Sequence, residues 1–179
     1  MATETSTPDP FAVLGLEPRF DLERQALEER FRERSREVHP DRFVGAPAAA
    51  RTQALISTRA LNDAYQVLRH PQRRAEVLLA QHGVVIGDRE VLEPAFLAEI
   101  LELREELADA RVAGDLATVT RLAGVMRARQ RALLDQVAAQ FARVAAGATD
   151  ALAAIKRDLI TLRYVDRYLD ECDAATDDE

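Results

Sequence analysis

Apolar residues recur along most of the chain at the three- and four-residue spacing that is typical of amphipathic helices. In the first half, this pattern predicts a brief helix over residues 11–14 that stops at Gly15. A second helix is expected after Asp21, a residue type that commonly caps helix N-termini, and a third over residues 48–69. Pro71 should break or kink the third helix, with a further turn or two beyond it.

Three longer helices are predicted in the second half of the chain. The first covers residues 94–111, and Gly114 separates it from the second, which covers residues 115–146. Thr149 or Asp150 is expected to cap the third. Amphipathic helices that are joined by short turns containing glycine favour an antiparallel three-helix bundle.

The pattern therefore predicts an all-α chain with two domains. The first domain is expected to cover residues 9–81, a linker residues 82–93, and the second domain residues 94–172. Within the linker, residues 84–86 are apolar, and we expect them to pack a loop against the second domain. The acidic tail that starts at Asp173 is expected to be frayed.

Composition and charge agree with this organisation. Hydrophobic residues make up 47% of the 179 residues and are mostly alanine, leucine and valine, which favour helices over strands. The net charge of −7 argues against nucleic acid as the main partner. Residues 1–82 carry 12 basic and 12 acidic side chains, whereas residues 83–179 carry 12 basic and 19 acidic ones. This asymmetry indicates two domains with different surfaces.

Cysteine content and hydropathy bear on the compartment. Cys172 is the only cysteine, so the chain has no disulfide framework and no cysteine cluster for zinc or iron, which fits a reducing interior. The first ten residues have neither the basic nor the apolar region of a signal peptide, and no stretch is long enough to span a membrane. We therefore expect a soluble cytoplasmic protein.

The most informative motif is His39-Pro40-Asp41, which lies between the second and third predicted helices. Pro40 lacks an N–H and disfavours helical dihedrals at His39, so the second helix should end there. A tight solvent loop over residues 39–43 would then present an imidazole and a carboxylate at the tip of a helical hairpin. A polar group at an exposed tip suggests contact with a partner.

Catalysis and metal binding are the alternatives to a partner contact at this tip. An acid–base pair needs a pocket and a third, orienting group, and a hairpin tip supplies neither. His39, His70 and His82 are too far apart in the sequence for a local metal site. We therefore expect no catalytic residue, no metal and no cofactor in this chain.

The second predicted helix alternates positive and negative side chains on its polar face. Such a run is typical of a solvated face with pairs of opposite charge four residues apart. The alternative is a docking surface in which Arg30, Arg34 or Arg36 contacts a partner.

The first helix of the second domain is apolar over a wide arc. One stripe suffices for a bundle core and contains Phe96, Ile100, Leu103 and Leu107. Leu97 and Leu101 form a second stripe, which Glu102 and Glu105 border. An apolar patch with an acidic rim is typical of an interface with a basic partner, but both stripes could instead belong to the core. Two tyrosines on the last helix either extend this patch or cover the edge of the bundle: Tyr164 and Tyr168.

Together, these features resemble a J domain. A short helix precedes a helical hairpin with His-Pro-Asp at its tip, and the return helix carries Ala-Tyr-Gln-Val-Leu over residues 64–68. More specifically, residues 9–171 resemble the J-type co-chaperone of iron–sulfur cluster biogenesis, the HscB type. The segment Leu-Glu-Leu-Arg-Glu-Glu-Leu at residues 101–107 is what distinguishes this family.

The resemblance implies two partners. The J domain of such proteins stimulates ATP hydrolysis by a DnaK-like chaperone of the HscA type, and His39, Pro40 and Asp41 match the stimulating motif. Arg30 and Arg34 are assigned to the same chaperone contact. The C-terminal bundle of the family binds the iron–sulfur scaffold protein of the IscU type and presents it as the client.

The scaffold-binding face that the resemblance implies contains Leu97, Ala98, Leu101, Glu102, Glu105, Asp109 and Tyr164. Ala98 and Asp109 differ from the methionine and glutamate that are commoner in the family, and Tyr164 stands where phenylalanine is more familiar. Two other readings stay open. One is a J-domain co-chaperone with a different client, and the other is an enzyme or metal protein that is not a chaperone.

Overall fold

The computed structural model describes residues 8–87 and 90–177. Within these ranges the chain is helical and has no strand, so the all-α prediction is confirmed. The helices are α1 (Pro10–Leu14), α2 (Arg24–Val38), α3 (Ala48–Arg69), α4 (Pro71–Gln81), α5 (Pro94–Ala113), α6 (Leu116–Ala145) and α7 (Ala151–Asp177). The chain divides into two compact units, one ending at Leu78 and the other beginning at Leu79.

The first unit is built on an antiparallel hairpin of α2 and α3. The Phe31 ring of α2 stacks on the Tyr65 ring of α3 with centroids 4.4 Å apart. Nearer the tip, the Thr58 hydroxyl lies 3.3 Å from the carbonyl oxygen of Val38. Helix α1 packs on α3 and contributes fully buried side chains to the core of this unit, as does the C-terminal part of α3: Phe11, Leu14 and Leu68.

Two local predictions in the first unit need correction. Asp21 does not cap α2, because the Leu22 N–H bonds the Phe20 carbonyl in a turn and the helix begins only at Arg24. The tight loop that was predicted after α2 takes the form of one turn of 3₁₀ helix at Pro40–Phe43. Helix α4 is longer than the turn or two expected, because it buries Ala75, Leu78 and Leu79 on one face.

The second unit is the predicted antiparallel three-helix bundle, and polar pairs between its helices give the register. Glu99 on α5 pairs with Arg129 on α6, and Glu106 pairs with Arg121, so residue numbers rise along one helix as they fall along the other. The same relation holds between α6 and α7, where the pairs are Arg127–Asp173, Gln130–Asp166, Gln140–Asp158 and Arg143–Asp150. Helices α5 and α7 therefore run in the same direction.

The segment before α5 packs on the bundle, as expected for the apolar residues at 84–86. Ile86 is partly buried against the bundle core. The Arg163 guanidinium donates to the carbonyl oxygen of Gly87 at 3.2 Å, and Lys156 forms a 2.8 Å ion pair with Glu90. Contacts from α7 therefore hold this segment at Gly87 and at Glu90.

The prediction of a frayed tail from Asp173 is wrong, because α7 continues to Asp177. Asp173 forms a 2.6 Å ion pair with Arg127 of α6, and the preceding residue, Cys172, is buried in the bundle core. Packing and an ion pair between helices thus extend a helix that the acidic composition alone did not favour.

Candidate functional site

The tip of the α2–α3 hairpin exposes the His-Pro-Asp motif. Helix α2 ends at Val38, and His39 has the extended dihedrals that a following proline favours. The side chains of His39 and Asp41 are 56% and 86% exposed. The Asp41 N–H donates to Nδ1 of His39 at 3.3 Å, and a carboxylate oxygen of Asp41 lies 3.5 Å from the same nitrogen.

Neighbouring groups fix the backbone of the tip. The Arg42 N–H bonds the His39 carbonyl at 3.0 Å, which closes the 3₁₀ turn, and the Arg42 guanidinium donates to the Arg36 carbonyl at 3.3 Å. On α3, the Thr58 hydroxyl is within reach of the carbonyls of Ala54, at 2.8 Å, and Val38, at 3.3 Å. Sequence reasoning missed Thr58, since nothing in its spacing indicates a contact with the end of α2.

Two arginines of α2 that were predicted to contact a chaperone have partners within the first unit. Arg30 donates from Nε to the Leu14 carbonyl at 2.9 Å and pairs with Glu33 at 3.2 Å. Arg34 pairs with Glu37 one turn further along the helix. Both side chains keep more than a third of their surface exposed. Arg30 therefore also attaches the end of α1 to α2.

Helix α5 buries one of its two apolar stripes and exposes the other. Phe96, Ile100 and Leu107 lie in the bundle core, with Leu103 partly buried beside them. In contrast, Leu97 is 44% exposed and Leu101 is 52% exposed. The interpretation that both stripes belong to the core is therefore wrong. We call the exposed surface the leucine patch, and it comprises Leu97, Ala98, Leu101, Glu102, Glu105 and Asp109, all of which are exposed.

The two tyrosines of α7 have different environments. Tyr164 is half-buried against the bundle core, with the Arg167 guanidinium 5.6 Å from its ring centroid. Tyr168 has no exposed surface, and its hydroxyl donates to the Leu103 carbonyl at 2.9 Å. The prediction that Tyr168 joins the patch or covers the bundle edge is wrong, because α7 buries a wider arc than its leucine spacing indicated. Since α5 and α7 are parallel, Tyr164 lies level with the turn of α5 just before Leu103.

The remaining candidates for chemistry are few in the described ranges. No three histidine, cysteine, aspartate or glutamate side chains there lie close enough to hold a metal ion. Cys172 is 1% exposed, and burial together with the Asp173 carboxylate raises the pKa of its thiol to about 11. None of the helices in residues 8–87 and 90–177 is both long and apolar enough to cross a membrane.

Comparison with known families follows the division into two units. Residues 9–77 match the DnaJ domain, and residues 92–173 match the HSCB C-terminal oligomerisation domain. A helical hairpin with an exposed His-Pro-Asp tip, followed in the chain by this C-terminal domain, defines a J-domain co-chaperone. More specifically, the chain belongs to the HscB family, whose members are co-chaperones in iron–sulfur cluster biogenesis and are not themselves enzymes.

Two solved structures are similar to this chain over nearly its whole length. Chaperone HscB from Vibrio cholerae shares 31% identity, with 94% of this chain and 98% of that one covered and a TM-score of 0.79. Human co-chaperone protein HscB shares 26% identity, with 96% of this chain and 83% of that one covered and a TM-score of 0.85.

Proposed function

We propose that this protein stimulates ATP hydrolysis by a DnaK-like chaperone of the HscA type and delivers an iron–sulfur scaffold protein of the IscU type to it. The single observation that carries this proposal is the exposed His39-Pro40-Asp41 tip in a chain of the HscB family. The motif provides a carboxylate, an imidazole and a rigid turn on one small surface. The partners are the two proteins, with no nucleic acid and no membrane, and we expect them to meet in the cytoplasm.

At the chaperone end, Asp41 is the natural partner for an arginine of the ATPase. A pair between an arginine and an exposed carboxylate forms charge-assisted hydrogen bonds that depend on the position of both groups. The 3₁₀ turn at Pro40–Phe43 and the contact of Thr58 with Val38 hold the Asp41 backbone in position before binding. This preorganisation reduces the entropy that is lost when the complex forms.

Arg30 and Arg34 are proposed to flank this contact on α2. Each forms its ion pair with a glutamate of its own helix, and such exposed pairs contribute about 0.3–0.5 kcal/mol. A carboxylate on the chaperone can therefore replace the glutamate at little cost. Exchange of partners in this way would favour fast, reversible association.

At the scaffold end, the leucine patch provides apolar area inside an acidic rim. Leu97 and Leu101 are already about half-buried, so burial of their remaining surface against a partner contributes about 0.7–1.5 kcal/mol each. Glu102, Glu105 and Asp109 favour a partner with basic side chains around an apolar centre. Tyr164 is proposed to join this contact from α7. When scaffold and chaperone bind one molecule, the effective concentration of client at the chaperone rises without any chemistry in this chain.

A single-turnover ATPase assay with the HscA-type chaperone tests the first half of this function. His39→Gln should abolish stimulation, because the flexible glutamine amide does not hold its acceptor and its donor in the fixed geometry of the imidazole ring. The matched control is His82→Gln, since His82 is also exposed but lies outside the tip. Stimulation that survives in His39→Gln, or that is equally lost in His82→Gln, would refute the role of the motif.

A further inference from the structure

The first unit contains a second polar feature, at the end of the hairpin opposite the His-Pro-Asp tip. A cleft of about 330 Å³ lies between the start of α2, the end of α3 and the start of α4. Four of its lining residues carry basic side chains: Arg24, Arg69, His70 and Arg74. No role described above uses this cleft, and its position separates it from the tip by the length of α2.

Arg74 is the unusual member of this group, because its side chain is a buried cation. The residue is only 7% exposed, and its guanidinium lies 5.3 Å from the centroid of the Phe20 ring. One nitrogen donates to the Leu22 carbonyl over a long 3.4 Å, while Nε has no hydrogen-bond partner. No carboxylate in the described ranges forms an ion pair with Arg74. Burial lowers the pKa of Arg74, whereas the negative charge of Asp21 raises it by a smaller amount.

A buried cation without a paired anion is expensive for a protein to keep. The other basic groups of the cleft make the local charge more positive still. Arg69 contacts the Tyr65 ring at 5.9 Å and meets Gln66 at 3.5 Å, and it has no carboxylate partner in the described part of the chain. Burial, followed by the charges of Arg73 and Arg69, lowers the pKa of His70. Arg24 already pairs with Glu28 at 2.9 Å, so the two arginines of the cleft that lack a carboxylate partner among the described residues are Arg69 and Arg74.

The backbone adds donors at the same place. Helix α4 has 11 residues and begins at Pro71, which lines the cleft. The first helix-type bond here runs from the Arg74 N–H to the His70 carbonyl at 2.9 Å, so the N–H groups of Gln72 and Arg73 remain at the open end of the helix. Helix N-termini with nearby arginines are common sites for phosphate groups.

From the buried, unpaired Arg74 and the basic residues around it, we propose that this cleft binds a phosphate group. Several cations around one site favour the dianionic phosphate over a singly charged carboxylate or chloride. Free phosphate and the phosphate of a small organic molecule share this chemistry. The cleft has room for an attached organic group, which Leu22, Leu27 and the Tyr65 ring would contact.

The test is a titration of the ¹⁵N-labelled full chain with sodium phosphate, followed by NMR at constant ionic strength against sodium chloride. The amide signals of Gln72 and Arg73 should shift saturably with phosphate. Arg69→Gln should raise the phosphate dissociation constant about tenfold or more, as expected for the loss of a charge-assisted hydrogen bond. The variant to use is Arg69→Gln, because Arg69 is exposed and its loss leaves the core intact.

The matched control is Arg51→Gln, which removes the same charge from an exposed residue at the other end of α3 that does not line the cleft. The phosphate dissociation constant of this control variant should stay within about twofold of that of the unmodified chain, since a screened surface charge contributes little to binding. Parallel titration with phenyl phosphate distinguishes the sources, because tighter binding than inorganic phosphate indicates an organic ligand and equal binding indicates the free ion. Shifts that rise linearly without saturation, or equal weakening in both arginine variants, would overturn the proposal.

Discussion

The hydroxyl of Tyr168 on α7 donates a 2.9 Å hydrogen bond to the carbonyl oxygen of Leu103 on α5, and the tyrosine has no exposed surface. This bond joins the first and last helices of the bundle at a point next to the leucine patch. It helps to set the rotation of α5 about its own axis. That rotation buries Ile100 and leaves Leu101 exposed on the adjoining face.

Removing the Tyr168 hydroxyl should destabilise the second unit modestly. Tyr168→Phe keeps the buried ring but loses one buried hydrogen bond, so we expect the free energy of unfolding to fall by about 1 kcal/mol. Urea unfolding followed by far-UV circular dichroism measures the change. The matched control is Tyr164→Phe, whose ring is half-buried, and there a change within about 0.5 kcal/mol is expected. Equal losses in the two variants would contradict the role of the bond.

The same variant should alter the dependence of stability on alkaline pH. Burial, and then the neighbouring Cys172, raises the pKa of Tyr168 from 10.0 to about 12. Between these values the unfolded chain loses the phenol proton while the folded chain keeps it, so folding stability decreases as pH rises. Tyr168→Phe removes this contribution, and its unfolding midpoint should therefore fall less between pH 10 and 12. A decline as steep as in the unmodified chain would show that Tyr168 titrates normally.

Cys172 should be almost inert in the folded protein. Burial raises the pKa of its thiol from 9.0 to about 11, which lowers the thiolate fraction at pH 8 by about a hundredfold. The residue is also 1% exposed, so reagents reach it only when α7 opens. Reaction with an aromatic disulfide reagent should thus be slow without urea and should accelerate through the unfolding transition. Fast modification of the native chain would contradict this packing.

Helix boundaries that depend on local chemistry could be predicted from the sequence. Helix α3 covers Ala48–Arg69 as expected, since Pro47 precedes it and Pro71 follows two residues beyond its end. Helix α5 ends before Gly114, which takes the left-handed conformation that stops a helix. The exposed tip was predictable for the same reason, because Pro40 acts on its immediate neighbour His39.

Features that depend on tertiary contacts could not be predicted. Tyr168 is separated from its partner, Leu103, by 65 residues, and no periodicity shows which ring will enter a core. Thr58 reaches Val38 only because α2 and α3 fold back on each other. Arg74 resembles any surface arginine in the sequence, yet Phe20 and Leu22 enclose it after folding. The leucine patch was proposed from its pattern, but its exposure required the position of α7.

The leucine patch should contribute to scaffold binding and little to stability. Replacing Leu97, Leu101 and Tyr164 together by alanine should weaken binding of an IscU-type scaffold by about tenfold or more, since burial of the exposed half of each leucine contributes about 0.7–1.5 kcal/mol. Isothermal calorimetry measures the affinity, and circular dichroism should show an unchanged helical spectrum.

Two further variants make this measurement selective. Leu97→Ala with Leu101→Ala keeps the half-buried Tyr164 and therefore separates the patch from any loss of packing on α7. Val112→Ala with Val125→Ala is the matched control, because both valines are exposed on the same unit outside the patch. Unchanged affinity in the leucine variants would remove the patch from the interface. Failure of the unmodified chain to bind the scaffold would instead favour a J-domain co-chaperone with a different client.

The contact between Gly15 and Arg30 should make Gly15 more sensitive to substitution than a glycine of the same conformation elsewhere. Gly15 ends α1 with a φ of +66°, and a Cβ at this position would lie 2.7 Å from a terminal nitrogen of Arg30. Gly15→Ala therefore has two costs. It introduces left-handed strain of about 1 kcal/mol, and it displaces the Arg30 guanidinium, which donates a hydrogen bond to the Leu14 carbonyl. We expect a total loss of about 2 kcal/mol in the free energy of unfolding, measured with urea.

Gly114→Ala provides the reference, because Gly114 also has a φ of +66° but open space around its Cβ position. Gly114→Ala should lower the free energy of unfolding by about 1 kcal/mol, which is the strain of the left-handed conformation alone. Combining Gly15→Ala with Arg30→Ala should add less than the two single changes do, since the clash and the bond it breaks involve the same side chain. Strict additivity, or equal losses at the two glycines, would mean that Arg30 moves aside freely and does not hold the end of α1.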